Sequence, residues 1–332
     1  MTRLCVLGAL HWDVLVQAPN LPQRDETVRG SAVAYDFGGK GGNQAVAAQR
    51  NGANTYFVGR LGQDEFGKSL LRVLQESGLD LSQLQQDPGA SGMSVAILEA
   101  GGEYGAVIVS EANLRIDAAQ VSLDAETGLL LLQNEIPEAI NLALAQRARA
   151  NGSEVWLNAA PAREIGPALM GQLDVVIMNR VEAQFYQAFF SNPAYQRLTK
   201  IITKGADGLD LILPDGACQS FPAFEVPSLS SHGAGDVFVG ALAAPRLAAR
   251  LGLRARRNSD LLNGRPQMHD RSARACAASR HLQRPHVQTY FGRSSCGFDI
   301  APTTPHTSRV ERRRTPARTW RFLQWGHPLR LA

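Results

Sequence analysis

His232-Gly233-Ala234-Gly235-Asp236 stands directly before the apolar stretch Val237-Phe238-Val239-Gly240-Ala241-Leu242, so small residues and one carboxylate fall at the start of an expected helix. Free backbone N–H groups and the helix dipole favour an anion there. Gly233, Ala234 and Gly235 let those donors approach developing negative charge, and Asp236 is suited to take a proton from an attacking hydroxyl. The chemistry implied is movement of a phosphoryl group onto an alcohol. The plainer alternative is a helix cap preceded by a tight turn that needs positive φ. About two hundred residues earlier, Gly38-Gly39-Lys40-Gly41-Gly42-Asn43 offers close backbone approach, a cation and an amide just before another expected helix. This run lacks the spacing of a Walker A loop, so it does not hold nucleotide in the P-loop manner.

The elements that must position these residues alternate between strand and helix. Residues 4–7 form a short apolar run ending in Gly8, the pattern of a buried strand, and His11 and Asp13 follow at its C-terminal end. A helix is predicted over 42–50, a strand over 55–58 and a helix over 65–77 stopped by Gly78. Residues 94–98 and 106–109 flank Gly101-Gly102 as a hairpin. Strands over 129–132, 155–157, 175–178 and 200–203 follow, with helices over 138–150 and 181–190 and a hairpin at 209–213. Repeated βα units predict a doubly wound, mainly parallel sheet flanked by helices, with ligands beyond the strand C-termini. Segments 14–33 and 94–109 are expected to build a small β lid, which would keep water from a group in transfer. Glu135 follows the buried run 129–132, and a surface carboxylate is its alternative reading.

These separated motifs, with Asn179-Arg180-Val181-Glu182 between them, resemble the ribokinase family of sugar kinases, also called the phosphofructokinase B type, over residues 3–244. The resemblance implies an ATP-dependent carbohydrate kinase acting on a primary hydroxyl of a small sugar, with ribose the leading substrate and a nucleoside the competitor. It implies sugar contacts at Asp13, Gly39, Lys40, Asn43 and Glu135. His11 stands where the family usually has Asn, which changes the hydrogen-bond donors offered to the sugar; a solvated loop histidine is its alternative. The Asn179 and Glu182 pair would organise Mg²⁺ and phosphates, as oxygen donors suit that hard cation; a helix start capped by Asn179 is the alternative. Thr203, Lys204, Gly205 and Gly208 resemble a loop that touches nucleotide phosphate. A homodimer through the lid is implied by analogy alone.

Three departures accompany the resemblance. Ser230 replaces the carboxylate that helps bind an activating monovalent cation, which sets K⁺ activation aside. The stretch between Glu182 and Thr203 is short for the family's crossover helix and predicts a local rearrangement of the sheet. After Ala244 the composition turns to Arg, Pro, Ser and His: about eighteen Arg, no Lys and four acids, leaving roughly −10 on the preceding part although the chain carries +4 overall. Residues 1–244 therefore read as the kinase domain and 245–332 as an atypical basic tail. A shifted reading frame near Ala244 accounts for the change and predicts a disordered or poorly packed tail; a catalytically impaired sugar-binding protein is then the alternative to an active kinase. A genuine basic extension that binds acidic partners or RNA, with Arg312-Arg313-Arg314, Trp320 and Phe322 supplying charge and stacking, is the weaker reading. The four Cys show no metal-ligand spacing and no disulfide framework, so a reducing cytoplasm fits, and no run of about 18 apolar residues marks a membrane span.

Overall fold

A computed structural model of the chain describes residues 2–99, 101, 104–224 and 233–244. The predicted tail at 245–332, Ser230 with the monovalent-cation question it carries, and His232 lie outside the described residues.

In chain order the strands are β1 (Arg3–Leu7), β2 (His11–Ala18), β3 (Ala32–Gly38), β4 (Thr55–Gly62), β5 (Leu84–Asp87), β6 (Met93–Glu99), β7 (Tyr104–Val109), β8 (Thr127–Gln133), β9 (Glu154–Asn158), β10 (Val175–Asn179), β11 (Thr199–Thr203), β12 (Leu209–Ile212) and β13 (Cys218–Phe221). The α-helices are α1 (Lys40–Arg50), α2 (Glu65–Glu76), α3 (Glu138–Ala150), α4 (Pro167–Met170), α5 (Arg180–Phe185), α6 (Gln187–Phe190) and α7 (Ala234–Ala243). Among the described residues nine strands form one sheet in the order β13-β12-β11-β10-β9-β8-β1-β4-β5. Pairing is parallel from β5 through β11 and antiparallel across β11-β12-β13. The chain leaves β1 toward β4 and β5 and returns on its other side at β8, which makes the C-terminal end of β1 a topological switch point.

Alternation along the central strands sends side chains to two separate cores. Cys5, Leu7, Leu130, Leu132, Val155, Leu157 and Val176 pack on one face with Leu144 and Ala148 of α3. Leu4, Val6, Leu129, Leu131, Trp156 and Val175 pack on the other with Ala45 of α1, Leu70 of α2 and Leu242 of α7. Apolar residues on both faces are what a parallel sheet covered twice by helices requires.

A separate four-stranded sheet has the order β3-β2-β6-β7; its strands take in 14–18 and 32–33 of the first segment expected to form the lid and most of 94–109. Its second strand starts earlier than the polar stretch suggested, at His11, and the alternating run from Thr27 enters a strand only at Ala32. Strand β5 and the short α4 carry no clear sequence period and went unpredicted. The helix expected over 181–190 divides at Tyr186 into α5 and α6. The local rearrangement expected after Glu182 does not occur: β10 and β11 pair in parallel over five residues, and two short helices and a 3-10 turn make the crossover.

Candidate active site

Helices α1 and α7 lie against one another, and α1 also packs on β1 and β8. Their approach depends on Gly240: a Cβ there would come within 2.3 Å of the Gln44 carbonyl oxygen and 2.7 Å of the Ala47 Cβ. The contact sets Asp236 in the first turn of α7 beside Lys40, the first residue of α1. Lys40 Nζ stands 3.8 Å from Asp236 Oδ1, and Asp236 is 7% exposed. Gln44, one turn after Lys40, donates from Nε2 to the same Oδ1 at 3.0 Å.

Helix α1 has no capping side chain of its own, because its N-cap is Gly39 at φ 88°. Glu135, just past the end of β8, fills that role by accepting the Lys40 N–H through Oε2 at 2.7 Å. Gly39 is also packed from behind, where a Cβ would meet the Ala9 carbonyl oxygen at 2.6 Å, so no other residue fits without displacing the β1-β2 link. Asn43 sits half-buried in the first turn of α1. Gly38, at the end of β3, faces the Asp13 carboxylate so closely that a Cβ would lie 2.1 Å from Oδ2.

Asp13 and His11 enter the site from β2. Ser94 of β6 donates its hydroxyl to Asp13 Oδ1 at 2.5 Å, so two strands of the smaller sheet fix this carboxylate. His11 is 2% exposed, which removes the solvated-loop alternative, and its Nε2 is buried with no hydrogen-bond partner among the described residues. A buried polar atom of this kind ordinarily has a partner, and a ligand hydroxyl is a suitable one.

The charges are strongly coupled. Burial pushes the Glu135 carboxyl up to about 7, against the pull of Lys40 and of the Lys40 N–H, with Asp236 and Asp13 adding to the rise. Burial pushes Lys40 down, but Asp236, Glu135 and Glu182 together more than offset it, and the ammonium is held above its ordinary value. Burial lowers His11, opposed by Asp13 and assisted by Lys40, which keeps the imidazole neutral at pH 7. Glu182 is raised, chiefly by burial, with the Asn179 N–H and Lys40 opposing the shift and Asp236 adding to it.

Asn179 and Glu182 form a reciprocal capping box: Glu182 N–H donates to Asn179 Oδ1 at 2.9 Å, and Asn179 N–H donates to Glu182 Oε2 at 2.7 Å. The capping alternative is therefore realised, and the Glu182 carboxylate remains within electrostatic reach of Lys40 and Asp236. No group of three or more His, Cys, Asp or Glu with metal-holding spacing occurs among the described residues. The donor set suits Mg²⁺, which typically takes one or two protein carboxylates and completes its shell with phosphate and water oxygens.

Asn179 is the register partner of Thr203, which places the two at adjacent strand ends. Beyond Thr203 the chain turns tightly, with Gly205 at φ 62° and Gly208 at φ 85°. At Gly208 a Cβ would lie 1.9 Å from the Phe221 carbonyl oxygen. The Lys204 ammonium is engaged by Asp210 at 2.6 Å, so within this turn the positive charge is directed along β12. Arg180 pairs with Asp207 and ties the start of α5 to the same turn. Gly233 sits at φ 73°, and a Cβ at Gly233 or Gly235 would meet nothing within 4 Å among the described residues. Conformation demands glycine at 233.

Three polar residues of the site were missed in the sequence: Gln44, Asn158 and Ser94. Asn158 had a visible signal, a polar residue closing the buried strand β9 at its C-terminal end. Gln44 lies four residues after Lys40, on the same helix face, a spacing that brings the two side chains together.

Fold and site together define an α/β phosphotransferase whose carboxylate and lysine meet at two helix N-termini. The chain belongs to the pfkB family of carbohydrate kinases, which it matches over residues 1–258, and such an enzyme transfers a phosphoryl group to a sugar hydroxyl. It is 31% identical over 255 residues to the ribokinase of Lactococcus lactis subsp. lactis, covering 73% of this chain and 83% of that protein. Identity to the ribokinase of Bacillus subtilis is 30% over 251 residues, covering 73% and 85% respectively. Among solved structures, Arabidopsis thaliana ribokinase complexed with ribose and ATP superposes with a TM-score of 0.66 at 26% identity, over 74% of this chain and 86% of that one. A Methanocaldococcus jannaschii nucleoside kinase shares the fold at 16% identity, with a TM-score of 0.67 over 75% of this chain and 85% of that one.

Proposed function

We propose that this chain transfers the γ-phosphoryl group of ATP to the primary hydroxyl of a small sugar, with ribose the substrate and ribose 5-phosphate the product. The observation that carries the proposal is the meeting of Asp236, Lys40 and Glu135 at the N-termini of α7 and α1. Asp236 serves as the base that removes the hydroxyl proton. The amides around Gly233, Ala234 and Gly235 stabilise the charge that develops on the transferred group. Lys40 keeps the surrounding carboxylates compatible with a polyanionic co-substrate. The sugar is held by Asp13, Gly39, Lys40, Asn43 and Glu135, and His11 Nε2 supplies one further contact to a sugar hydroxyl.

Asn179, Thr203, Lys204, Gly205 and Gly208 line the nucleotide side, with the Gly205 and Ala206 N–H groups as the phosphate donors of the 204–208 turn, because the Lys204 ammonium is taken by Asp210 and the Lys204, Asp207 and Gly208 N–H groups donate within the turn. Glu182 is the residue that would hold Mg²⁺, directly or through water, and the ion would neutralise phosphate charge during transfer. Support for ribose and ATP comes from the named relatives and from the bound ribose and ATP of the Arabidopsis thaliana structure.

The smaller sheet supports a second copy of this chain as partner. Tyr35, Val14, Val95 and Val107 are successive register partners and share one face, as do Val33, Val16 and Ile97. Val33, Tyr35 and Val107 are 56%, 58% and 65% exposed, an apolar surface of the kind that pairing covers.

Calorimetry and turnover together test the assignment. Asp236→Asn is expected to retain ribose binding and to lose at least about a hundredfold in turnover. Unchanged turnover removes Asp236 from the mechanism, and a nucleoside phosphorylated in preference to ribose overturns the substrate.

A further inference from the structure

The carboxylate proposed as the base is held by an amide relay that begins in the backbone of β10. The Ile177 carbonyl oxygen can only accept a hydrogen bond, so Asn158 must present Nδ2 to it, and does so at 3.1 Å. That choice turns Asn158 Oδ1 toward Gln44, where only the Nε2 end of the Gln44 amide satisfies it, at 2.9 Å. The second hydrogen of the same Nε2 then points to Asp236 Oδ1, at 3.0 Å. Gln44 is fully buried and Asn158 is 7% exposed, so water does not compete along the relay. Among the described residues Gln44 Oε1 has no partner. The helix thus retains a buried, half-satisfied amide, at a cost that an apolar residue of the same length would avoid.

We infer that Gln44 is a positioning residue for the proposed phosphoryl transfer: with Asn158 it fixes the rotamer of Asp236 and occupies Oδ1, so that Oδ2 faces the attacking hydroxyl. This rests on the assignment of Asp236 as base. Among the described residues the polar contacts recorded for Asp236, from Gln44 Nε2 and Lys40 Nζ, both fall on Oδ1. The two oxygens therefore have different tasks, one anchored and one reactive. The relay links four elements, β10, β9, α1 and α7, and runs through rigid parts of the fold rather than through loops.

The test is a double-mutant cycle on the full chain with ribose and ATP. Gln44→Met keeps the length of the side chain and removes the donor. The expected result is a fall in kcat of about ten- to a hundredfold, the size of a lost hydrogen bond to a charged group, with KM for ribose within about threefold. In the Asp236→Asn background the same change should alter kcat by less than about twofold, because Gln44 acts only through that carboxylate. An equal loss in both backgrounds, or no loss in either, overturns the inference. Retained turnover in Asp236→Asn alone overturns the base assignment itself and is distinguishable from failure of the relay. If Gln44→Met does not fold, Asn158→Ala decides: a fall in kcat absent from the Asp236→Asn background supports the relay, and an unchanged kcat refutes it.

Discussion

Replacing Glu135 by Gln is expected to stabilise the protein at alkaline pH while damaging its function. Glu135 is a carboxyl that burial has raised from 4.5 to about 7. A group whose folded-state value is raised binds its proton more tightly in the folded protein; the associated stability is fully present below the unfolded value and is lost as pH rises through the folded one. The window therefore runs from about pH 4.5 to about pH 7. The shift corresponds to about 3 kcal/mol at full strength, and the partial exposure of Glu135 to solvent reduces the expected effect to about 2 kcal/mol. Glutamine removes the penalty for ionisation and keeps an oxygen to accept the Lys40 N–H. Melting temperatures of wild type and Glu135→Gln, measured from pH 4.5 to pH 8.5, should coincide at the acid end. They should diverge above neutrality, with the variant higher by about 5 °C. Ribose binding should fall at the same time, the usual conflict between stability and a charged site. A variant that melts no higher than wild type at pH 8.5 would refute the reasoning, since it would show that the Glu135 charge is not being held against its own desolvation.

Two further outcomes follow from the packing. Gly240→Ala inserts a methyl group 2.3 Å from the Gln44 carbonyl oxygen, so α7 must move away from α1; urea denaturation should show a loss of about 1 to 3 kcal/mol, with a fall in turnover because Asp236 moves with its helix. Tyr35→Lys places a charge on the apolar face of the smaller sheet, where Tyr35 is 58% exposed; light scattering should show a dimer in the wild type and a shift to monomer in the variant, and an unshifted mass would remove that face from the interface.

Most of the fold was visible in the sequence because its strands are buried on both faces and therefore appear as apolar runs, such as Leu129 to Leu132, closed by polar or glycine residues. Strand β5, Leu84–Asp87, escaped because Gln85, Gln86 and Asp87 carry no apolar pattern; it is an edge strand fixed by pairing with β4. The residues that gather at the N-termini of α1 and α7 stood out in the sequence wherever residue type combined with a special backbone position, as at Gly233 to Asp236 and at Gly39 and Lys40. The site was not legible where function depends on contact across the chain. Gln44 and Asp236 are separated by 192 positions, and nothing local marks a helix glutamine as the donor to a distant carboxylate. Lys204 shows the reverse: its motif announces a phosphate contact, and only the structure reveals that Asp210 already engages the ammonium.

The central claim is that the cluster around Asp236 moves a phosphoryl group from ATP to ribose. Its most direct measurement is the initial rate of ribose-dependent ADP formation by the full chain, with the product identified by mass spectrometry and Asp236→Asn run in parallel. The account predicts ribose 5-phosphate formed in equal amount with ADP by the wild type, and a rate at least about a hundredfold lower in the variant. ADP release that does not depend on sugar, or sugar phosphate formed equally fast by both proteins, would contradict it.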